Sequence, residues 1–292
     1  MTEQPLPYCS VIVPVYEHWQ LIPALLQCLQ RQTLGQAGFE VLLVDNGSQH
    51  FTPPAELPDN VRILKCATPG SYAARNHALE HAKGPWLVFT DADCLPEVEW
   101  LERLMQCARS LPMESVLAGA IRMQPSGACP SIYEMYDLVK GIPQAWYVSR
   151  GYAVTANLAV PLALARELGG FEAKRLSGGD ADFVRRAVAR GAMLHYVEQA
   201  VVAHPARDSW QAIATKARRI KGGQLTAGSP GQRALWLLRT FTPPLLAWYR
   251  FLLRSQQPWR YRLMASFLQT RLWGVEALEA IRLLFQQGAE RR

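Results

Sequence analysis

The chain has 292 residues, 49% of them hydrophobic, and a formal net charge of +7. This size and composition are sufficient for a full α/β core, either as one large domain or as a domain with an appendage. The six cysteines form no Cys-x-x-Cys pair and no His/Cys ligand spacing, which excludes a cysteine-based metal site and favours reduced thiols in a cytosolic protein. Residues 1–8 are polar and contain prolines, so we expect no signal peptide.

Segments typical of strands and helices alternate along the first 110 residues. Strands are predicted at residues 10–15, 39–44, 61–66 and 86–90, of which the first and the last have the apolar and β-branched sequences of buried strands. Helices are predicted at residues 19–32, 70–82 and 97–109. This alternation predicts an α/β fold with a mostly parallel central sheet, right-handed crossovers and flanking helices.

The pattern changes beyond residue 115, where the predicted elements are less regular. Strands are expected at residues 115–123 and 153–160, with one or two more within 192–203. Helices are expected at residues 131–140, 161–168, 180–190 and 209–221, and an irregular aromatic segment at 141–151. From residue 223 onward Arg is interleaved with Trp, Phe, Tyr and Leu, which predicts a basic, amphipathic helical appendage.

Two carboxylates, Asp91 and Asp93, follow the strand predicted at residues 86–90. On an extended chain they would lie on the same side, at the carboxyl end of a strand, where open α/β sheets bind their ligands. Neighbouring acids repel each other unless a cation lies between them, and hard oxygen ligands favour Mg²⁺ or Mn²⁺. The alternative is that Asp93 caps a following helix, because Pro96 and Glu97 suit a first helical turn.

Five motifs resemble those of family 2 glycosyltransferases and occur in that family's order. They are Ile12-Val13-Pro14-Val15-Tyr16, Val44-Asp45-Asn46-Gly47-Ser48, Gly70-Ser71-Tyr72-Ala73-Ala74-Arg75-Asn76, Phe89-Thr90-Asp91-Ala92-Asp93-Cys94, and Gly169-Gly170-Phe171 with Gly178-Gly179-Asp180-Ala181-Asp182-Phe183. The resemblance covers residues 8 to 222. It implies a GT-A fold and inverting sugar transfer from a nucleoside-diphosphate donor, with UDP the first choice and Mg²⁺ or Mn²⁺ as cofactor.

The resemblance also implies a domain organisation. A catalytic domain would cover residues 1–222, with a nucleotide-binding half at 1–110 and an acceptor half at 111–222. The basic aromatic region would follow at residues 223–292. A lipid-linked or glycan acceptor of exopolysaccharide or lipopolysaccharide type fits the family by analogy.

The donor site is assigned by the same resemblance, with Asp45 best placed to accept a hydrogen bond from the base or the ribose. An Asx turn onto Gly47 is the alternative for Asp45. Arg75 and Asn76 would reach the diphosphate or ribose, although without the resemblance they would indicate an ordinary helix face. The implied donor-binding residues are Pro14, Tyr16, Glu17, Asp45, Gly70, Ser71, Arg75, Asn76, Asp91, Arg219 and Lys221.

The implied metal ligands are Asp93, which binds the cation directly, and Asp91, which also contacts the ribose or the sugar. His204 lies where some relatives place a histidine near the metal, and a structural histidine is its alternative. Lys216, Arg218, Arg219 and Lys221 lie where relatives present basic groups to the diphosphate, and a solvated basic helix face is their alternative.

Inverting relatives use one carboxylate as the general base, beside a Glu-Asp pair. Here Gly179 occupies the Glu position, so Asp180 is the predicted base and Asp182 the second choice. Capping of the next helix is the alternative for both, and capping is compatible with catalysis because a helix N-terminus keeps a carboxylate anionic.

Acceptor-side residues are expected around Gly170 and Phe171 and among the aromatic residues of the irregular segment. Trp146 and Tyr147, together with Arg150 and Tyr152, have side chains that could stack on a sugar ring.

The longest charge-free stretch of the C-terminal region, residues 240–249, is far shorter than the ~20 residues of a transmembrane helix. Short apolar helices flanked by Arg and Trp favour the head-group plane of a membrane. We therefore expect a cytoplasmic protein, peripheral on the inner face of the membrane. A helical cap on the catalytic domain and a homodimer contact are the alternatives.

Two other functions compete with sugar transfer. A nucleotidyltransferase of related fold needs a Gly-rich basic loop after the first strand, where Tyr16-Glu17-His18-Trp19 stands instead. A non-catalytic binding protein for anionic lipid or nucleic acid is supported only by the missing Glu at position 179. Nucleic acid binding has no motif here.

Overall fold

The computed structural model describes residues 8–112, 114–253 and 256–285. The strands are β1 (Cys9–Val15), β2 (Phe39–Asp45), β3 (Val61–Lys65), β4 (Trp86–Phe89), β5 (Leu95–Pro96), β6 (Ser115–Gln124), β7 (Leu158–Pro161) and β8 (Met193–Pro205). The helices are α1 (Ile22–Gln30), α2 (Ser71–His81), α3 (Trp100–Ser110), α4 (Ile132–Lys140), α5 (Gln144–Val148), α6 (Leu162–Glu167), α7 (Gly179–Ala189), α8 (Trp210–Thr226), α9 (Pro230–Phe241), α10 (Leu245–Leu252) and α11 (Trp259–Phe285).

The strands form one sheet in the order β3-β2-β1-β4-β7-β6-β8-β5. Strands β3, β2, β1 and β4 are parallel, whereas β7 is antiparallel to both β4 and β6, and β5 is antiparallel to β8. The predicted α/β fold, with a parallel sheet flanked by helices, is confirmed. The antiparallel strands follow β4 in the sequence, and all except the two-residue β5 lie beyond residue 114, where the predicted elements are less regular.

Both faces of β1, β2 and β4 are buried, which explains their largely apolar sequences, whereas β3 at the edge of the sheet is partly exposed. Val11 and Val13 of β1 pack with α1 and α3 on one face. Ile12 of β1 packs with α2 and α7 on the other, through residues such as Phe183. Because side chains alternate across a strand, one short segment supplies both halves of the core.

Two local predictions are corrected by the structure. Residues 141–151 contain a helix, α5, and the strand predicted at 153–160 starts only at Leu158. Of the one or two strands expected within 192–203, the structure has one, β8. Between α5 and β7, the side-chain amide of Gln144 binds the backbone of Val154 and Asn157. This side chain satisfies backbone groups that would otherwise need a neighbouring strand.

The chain divides into two compact units. Unit 1 comprises Met1–Arg122, Pro143–Lys174 and Gly179–His204, and unit 2 comprises Met123–Ile142, Arg175–Gly178 and Pro205–Arg292. Unit 2 has its own core, in which Tyr136 and Val139 of α4 pack with residues of α8, α10 and α11. Residues 123–142 and 205–222, which we expected in the catalytic domain, therefore group with the C-terminal helices.

Candidate active site

The acidic pair lies in a turn just beyond β4. The backbone N–H of Cys94 donates to the carbonyl of Asp91 at 3.1 Å, so residues 91–94 form a tight turn rather than the extended chain we expected. Strand β5 comes next, and α3 begins only at Trp100. The alternative that Asp93 caps this helix is therefore wrong.

Asp91, Asp93, Cys94 and His204 of β8 form a cluster whose potential ligand atoms all lie within 4.8 Å of one another. Cys94 and His204 are buried, and the two carboxylates are partly exposed. Burial, reinforced by the charges of Asp91 and Asp93, raises the pKa of the Cys94 thiol well above its ordinary value, which keeps it protonated. The remaining donors are two carboxylates and an imidazole, a set that fits Mn²⁺ or Mg²⁺ better than a thiolate-seeking metal.

Arg75 connects α2 to this cluster. Its Nη2 donates to Asp91 Oδ1 at 2.6 Å, and its side chain is only 4% exposed. Its Nε is buried and makes no hydrogen bond with the described residues. Arg75 thus lies inside the site, not on an ordinary solvated helix face, and holds a positive charge beside the carboxylates.

Asp45, at the end of β2, is buried and held from two directions. Trp19 Nε1 donates to its Oδ1 at 3.1 Å, and the backbone N–H of Gly47 donates to its Oδ2 at 3.3 Å. Gly47 has a φ of 75°. The turn that we considered as an alternative is therefore present, and the indole fixes the carboxylate at the carboxyl edge of the sheet.

Glu17, just after β1, ties the first loop to the turn after β2. Its carboxylate accepts hydrogen bonds from the backbone N–H groups of Gln49 and His50, and its own N–H donates to Ser48 Oγ at 3.0 Å. The Gln49 bond is the main cause that lowers the pKa of Glu17. Among the described residues Glu17 is the one non-glycine with a positive φ, 58°. Pro14 and Tyr16 precede it in the same segment.

Asn46 is a positioning residue that the sequence reasoning missed. Its Nδ2 donates to the carbonyls of Cys66 and Thr68, and its Oδ1 accepts from the backbone N–H of Gly70 at 2.6 Å. Asn46 thereby joins the end of β2 to the loop that opens α2. The only signal in the sequence is an Asn before Gly, which indicates a turn and does not reveal a long-range contact.

Asn76 makes two hydrogen bonds to the backbone of the acceptor-side motif Gly169-Gly170-Phe171. Its Nδ2 donates to the carbonyl of Phe171 at 2.7 Å, and its Oδ1 accepts from the N–H of Phe171 at 2.8 Å. Gly170 has a φ of 72°, and a Cβ there would lie 2.5 Å from Asn76 Oδ1. Asn76 therefore joins α2 to residues 170–171.

Asp180 and Asp182 lie in the first turn of α7 but have different partners. Asp180 Oδ1 accepts from the N–H of Ala181 at 2.9 Å, and burial raises the pKa of its carboxyl. Asp182 is bound by Arg186 Nε at 3.0 Å, and Arg186 also donates to the carbonyls of Leu168 and Gly170. The two carboxylates therefore lie in different environments, although they are one residue apart.

The aromatic residues expected on the acceptor side cluster around α5. Tyr147 and Tyr152 stack with ring centroids 4.9 Å apart, and Trp146 meets Tyr147 edge-on at 5.7 Å. The Arg150 guanidinium lies 5.3 Å from the Trp146 ring. Trp146 is 40% exposed, so this cluster presents an accessible ring.

The basic residues of α8 belong to unit 2. Lys221 is buried, its Nζ donating to Thr240 Oγ1 at 2.9 Å and lying 3.4 Å from Glu276 Oε2. Arg219 is exposed on the same helix. Burial and the nearby Arg207 lower the pKa of Lys216 to about 7.

Comparison with known proteins identifies the family. Residues 10–127 match the model of glycosyl transferase family 2. The glycosyltransferase AglE of Haloferax volcanii is 32% identical over 252 residues, which cover 82% of each chain. The chain belongs to glycosyltransferase family 2. An undecaprenyl-phosphate 4-deoxy-4-formamido-L-arabinose transferase of Erwinia tasmaniensis is 32% identical over a shorter region, 37% of this chain and 36% of that protein.

Solved glycosyltransferases share the fold of this family 2 chain. The mannosyltransferase PcManGT of Pyrobaculum calidifontis, in complex with GDP-Man and Mn²⁺, superposes with a TM-score of 0.61 at 18% identity, covering 97% of this chain and 89% of that one. Residues 1–349 of S. aureus TarS, in complex with UDP-GlcNAc, give a TM-score of 0.54 at 18% identity, covering 97% of this chain and 93% of that fragment. These similarities confirm the predicted GT-A fold.

No helix within residues 8–112, 114–253 and 256–285 combines the length and apolar content that crossing a bilayer requires.

Proposed function

We propose that this family 2 glycosyltransferase moves a sugar from a nucleoside-diphosphate donor, UDP in the first instance, to an acceptor hydroxyl with inversion at the anomeric carbon. The observation that carries the proposal is the cluster of Asp91, Asp93 and His204 at the carboxyl edge of the sheet, flanked by buried Arg75. Sugar transfer from such a donor needs charge compensation for a leaving diphosphate. A cation and an arginine together supply it.

Asp93, Asp91 and His204 would hold a Mn²⁺ or Mg²⁺ ion. Such an ion supplies Lewis-acid stabilisation of the negative charge on the departing diphosphate. Arg75 fixes Asp91 through the 2.6 Å hydrogen bond and leaves Asp93 available to the cation. Asp45, held by Trp19 and Gly47, accepts a hydrogen bond from the nucleoside.

Asp180 acts as the general base that takes the proton of the acceptor hydroxyl. Its raised pKa suits this task, because the proton affinity of a base determines how strongly it assists transfer. Asp182 is held by Arg186 and has a positioning role. An inverting reaction needs only one such carboxylate, on the side of the sugar opposite to the diphosphate.

Calorimetric titration tests the donor site. Wild type is titrated with UDP and then with GDP and other nucleoside diphosphates, each with Mn²⁺ and with EDTA. Asp93→Ala is compared with Asp59→Ala, which removes an exposed carboxylate of the same unit. We expect metal-dependent binding in wild type and in Asp59→Ala and its loss in Asp93→Ala. A folded wild type that binds no nucleoside diphosphate would contradict the proposal.

The proposed acceptor is lipid-linked or glycan, and unit 2 is proposed to meet an anionic membrane surface on the cytoplasmic side. On α10, Leu245, Leu246, Tyr249 and Leu252 recur at helical spacing and are all exposed by 46% or more. Unpartnered apolar surface on a helix that also carries Arg250 suits the boundary between head groups and acyl chains. Glycan assembly of the exopolysaccharide or lipopolysaccharide type remains a proposal by analogy.

The two rival functions have less support. A nucleotidyltransferase has no relative among the comparisons described above, and the first loop carries Glu17 bonded to residues 49 and 50 in place of a Gly-rich basic segment. A non-catalytic binding protein would not need the buried Arg75 paired with Asp91 beside a metal-type donor set. A panel of nucleotide sugars assayed for release of the nucleoside diphosphate separates sugar transfer from both rivals, because neither of them releases a nucleoside diphosphate.

A further inference from the structure

Tyr72, the second residue of α2, bonds directly to the start of α7. The backbone N–H of Gly179 donates to the Tyr72 hydroxyl at 2.9 Å. The first N–H groups of a helix have no partner within the helix and need one from elsewhere. Tyr72 supplies that partner, one residue before Asp180.

The same contact explains the glycine at position 179. A Cβ built there would lie 2.7 Å from two atoms of the Tyr72 ring, closer than real Cβ contacts. The ring has little freedom to yield, because Tyr72 is only 9% exposed and its ring lies against Phe171, at 5.8 Å between centroids. Gly179 and Tyr72 therefore form one packed pair, in which the ring fills the space of the absent side chain.

Tyr72 also lies beside the group that binds Asp91. The Arg75 guanidinium is 5.9 Å from the Tyr72 ring centroid, and residues three apart share a helix face. One face of α2 thus contacts two segments that carry a carboxylate. Arg75 binds Asp91, and Tyr72 binds the start of α7, where Asp180 is the next residue. A shift of this face would change the separation between the two carboxylates.

We propose that Tyr72 is a positioning residue for the general base: its hydroxyl and ring fix the first turn of α7 and thereby place Asp180 relative to the donor-binding Asp91. The inference rests on the proposed function of Asp180. Burial and the nearby Asp180 charge raise the pKa of Tyr72 to about 12, so the hydroxyl is neutral at physiological pH and can serve as a hydrogen-bonding partner there.

Tyr72→Phe tests the proposal, because it removes the hydroxyl and keeps the ring. The assay follows release of nucleoside diphosphate from UDP-glucose, UDP-GlcNAc and GDP-mannose with Mn²⁺ and water as acceptor. We expect kcat to fall about tenfold with an unchanged KM for the donor, since only the transition state uses the base. Amide hydrogen exchange across residues 178–183 should become faster.

Gly179→Ala perturbs the same contact from the other side and should lower kcat similarly. The double variant Tyr72→Phe/Gly179→Ala should lose less than the product of the two single losses, because both changes act on one contact. Tyr196→Phe, which removes an exposed hydroxyl from β8, is the control and should behave as wild type.

The outcomes separate the inference from the proposed function. A wild-type kcat in Tyr72→Phe, with an active wild-type enzyme, overturns the positioning role and leaves the proposed function standing. A wild type that binds no nucleoside diphosphate and turns over no donor contradicts the proposed function. In that case, unchanged amide exchange at residues 178–183 in Tyr72→Phe would overturn the structural basis of the inference as well.

Discussion

At the scale of single residues, Asp180 and Asp182 are chemically identical side chains in one helical turn with different surroundings. Desolvation of its partly buried carboxyl raises the pKa of Asp180, whereas Asp182 is paired with Arg186. The sequence alone offered both as the base. Their partners distinguish them: Asp180 accepts from the N–H of Ala181 inside the motif, whereas Asp182 is bound by Arg186, one helical turn further along α7.

Asp180→Asn should lower kcat by about 10²- to 10⁴-fold, the usual contribution of a general base. The affinity for UDP and Mn²⁺ should stay as in wild type, because the amide keeps the size of the carboxylate. Asp182→Asn is the matched comparison and should keep most of kcat. Its free energy of unfolding should fall by less than about 1 kcal/mol, because the ion pair with Arg186 that it loses is partly exposed. Steady-state kinetics measure kcat and calorimetry measures the affinity for UDP in both variants. A larger loss of kcat in Asp182→Asn than in Asp180→Asn would identify Asp182 as the base.

Asn76→Ala should destabilise unit 1 by about 1–3 kcal/mol, because both backbone groups of Phe171 lose their partner. Urea denaturation measures the loss. Gln106→Ala, which removes an exposed amide from α3, should stay within about 0.5 kcal/mol of wild type. Equal stabilities for the two variants would contradict the joining role of Asn76.

At the scale of elements, α2 and α7 are connected by aromatic packing. Phe171 stacks on Phe183 of α7 with centroids 4.4 Å apart, and Phe89 of β4 meets Phe171 edge-on at 5.3 Å. Tyr72 of α2 also stacks on Phe171, with centroids 5.8 Å apart. Three elements that carry site residues therefore share one buried cluster.

Phe183→Ala should cost about 3–5 kcal/mol, since the side chain is fully buried and its removal leaves a cavity. Phe267→Ala, with the same chemical change at a site 67% exposed, is the control and should change the free energy of unfolding little. Chemical denaturation compares them, and a loss below about 1 kcal/mol for Phe183→Ala would show that the cluster is not a packing centre.

At the scale of the whole molecule, the apolar residues of α10 predict membrane binding. Wild type should sediment with vesicles that contain anionic lipid, and less so as salt is raised, because the attraction is partly electrostatic. Leu245→Glu/Leu246→Glu should remain in the supernatant. Glu56→Ala/Asp59→Ala, which alters exposed positions of unit 1, should sediment as wild type. If wild type instead forms a dimer and ignores vesicles, the face is an interface between copies.

Lys216 predicts how stability depends on pH. Its pKa is lowered from 10.5 to about 7 by burial, so the unfolded chain binds more protons than the folded one between these values. Stability therefore rises with pH across that window. Urea denaturation between pH 7 and 10 should give a steeper rise in wild type than in Lys216→Met, with Lys174→Met, an exposed lysine of unit 1, following wild type. Parallel curves for wild type and Lys216→Met would contradict this.

The sequence by itself determined the α/β class, the first four strands and the order of the family's motifs. These features depend on local composition. A strand that is buried on both faces has a run of apolar residues, and turn residues mark where each strand ends. The acidic pair was also visible, because its meaning depends on two carboxylates close in sequence and at a strand end.

Only the tertiary structure decided what those residues contact. Asn46 and Asn76 bind backbone groups 24 and 95 residues away, contacts that their motifs did not indicate. Position 179 departs from the family pattern by having Gly instead of Glu. The structure explains the glycine, because the ring of Tyr72, 107 residues earlier, occupies the space that a side chain at position 179 would need. Such contacts depend on how elements pack, and no periodicity or motif encodes the partner of a side chain so distant along the chain.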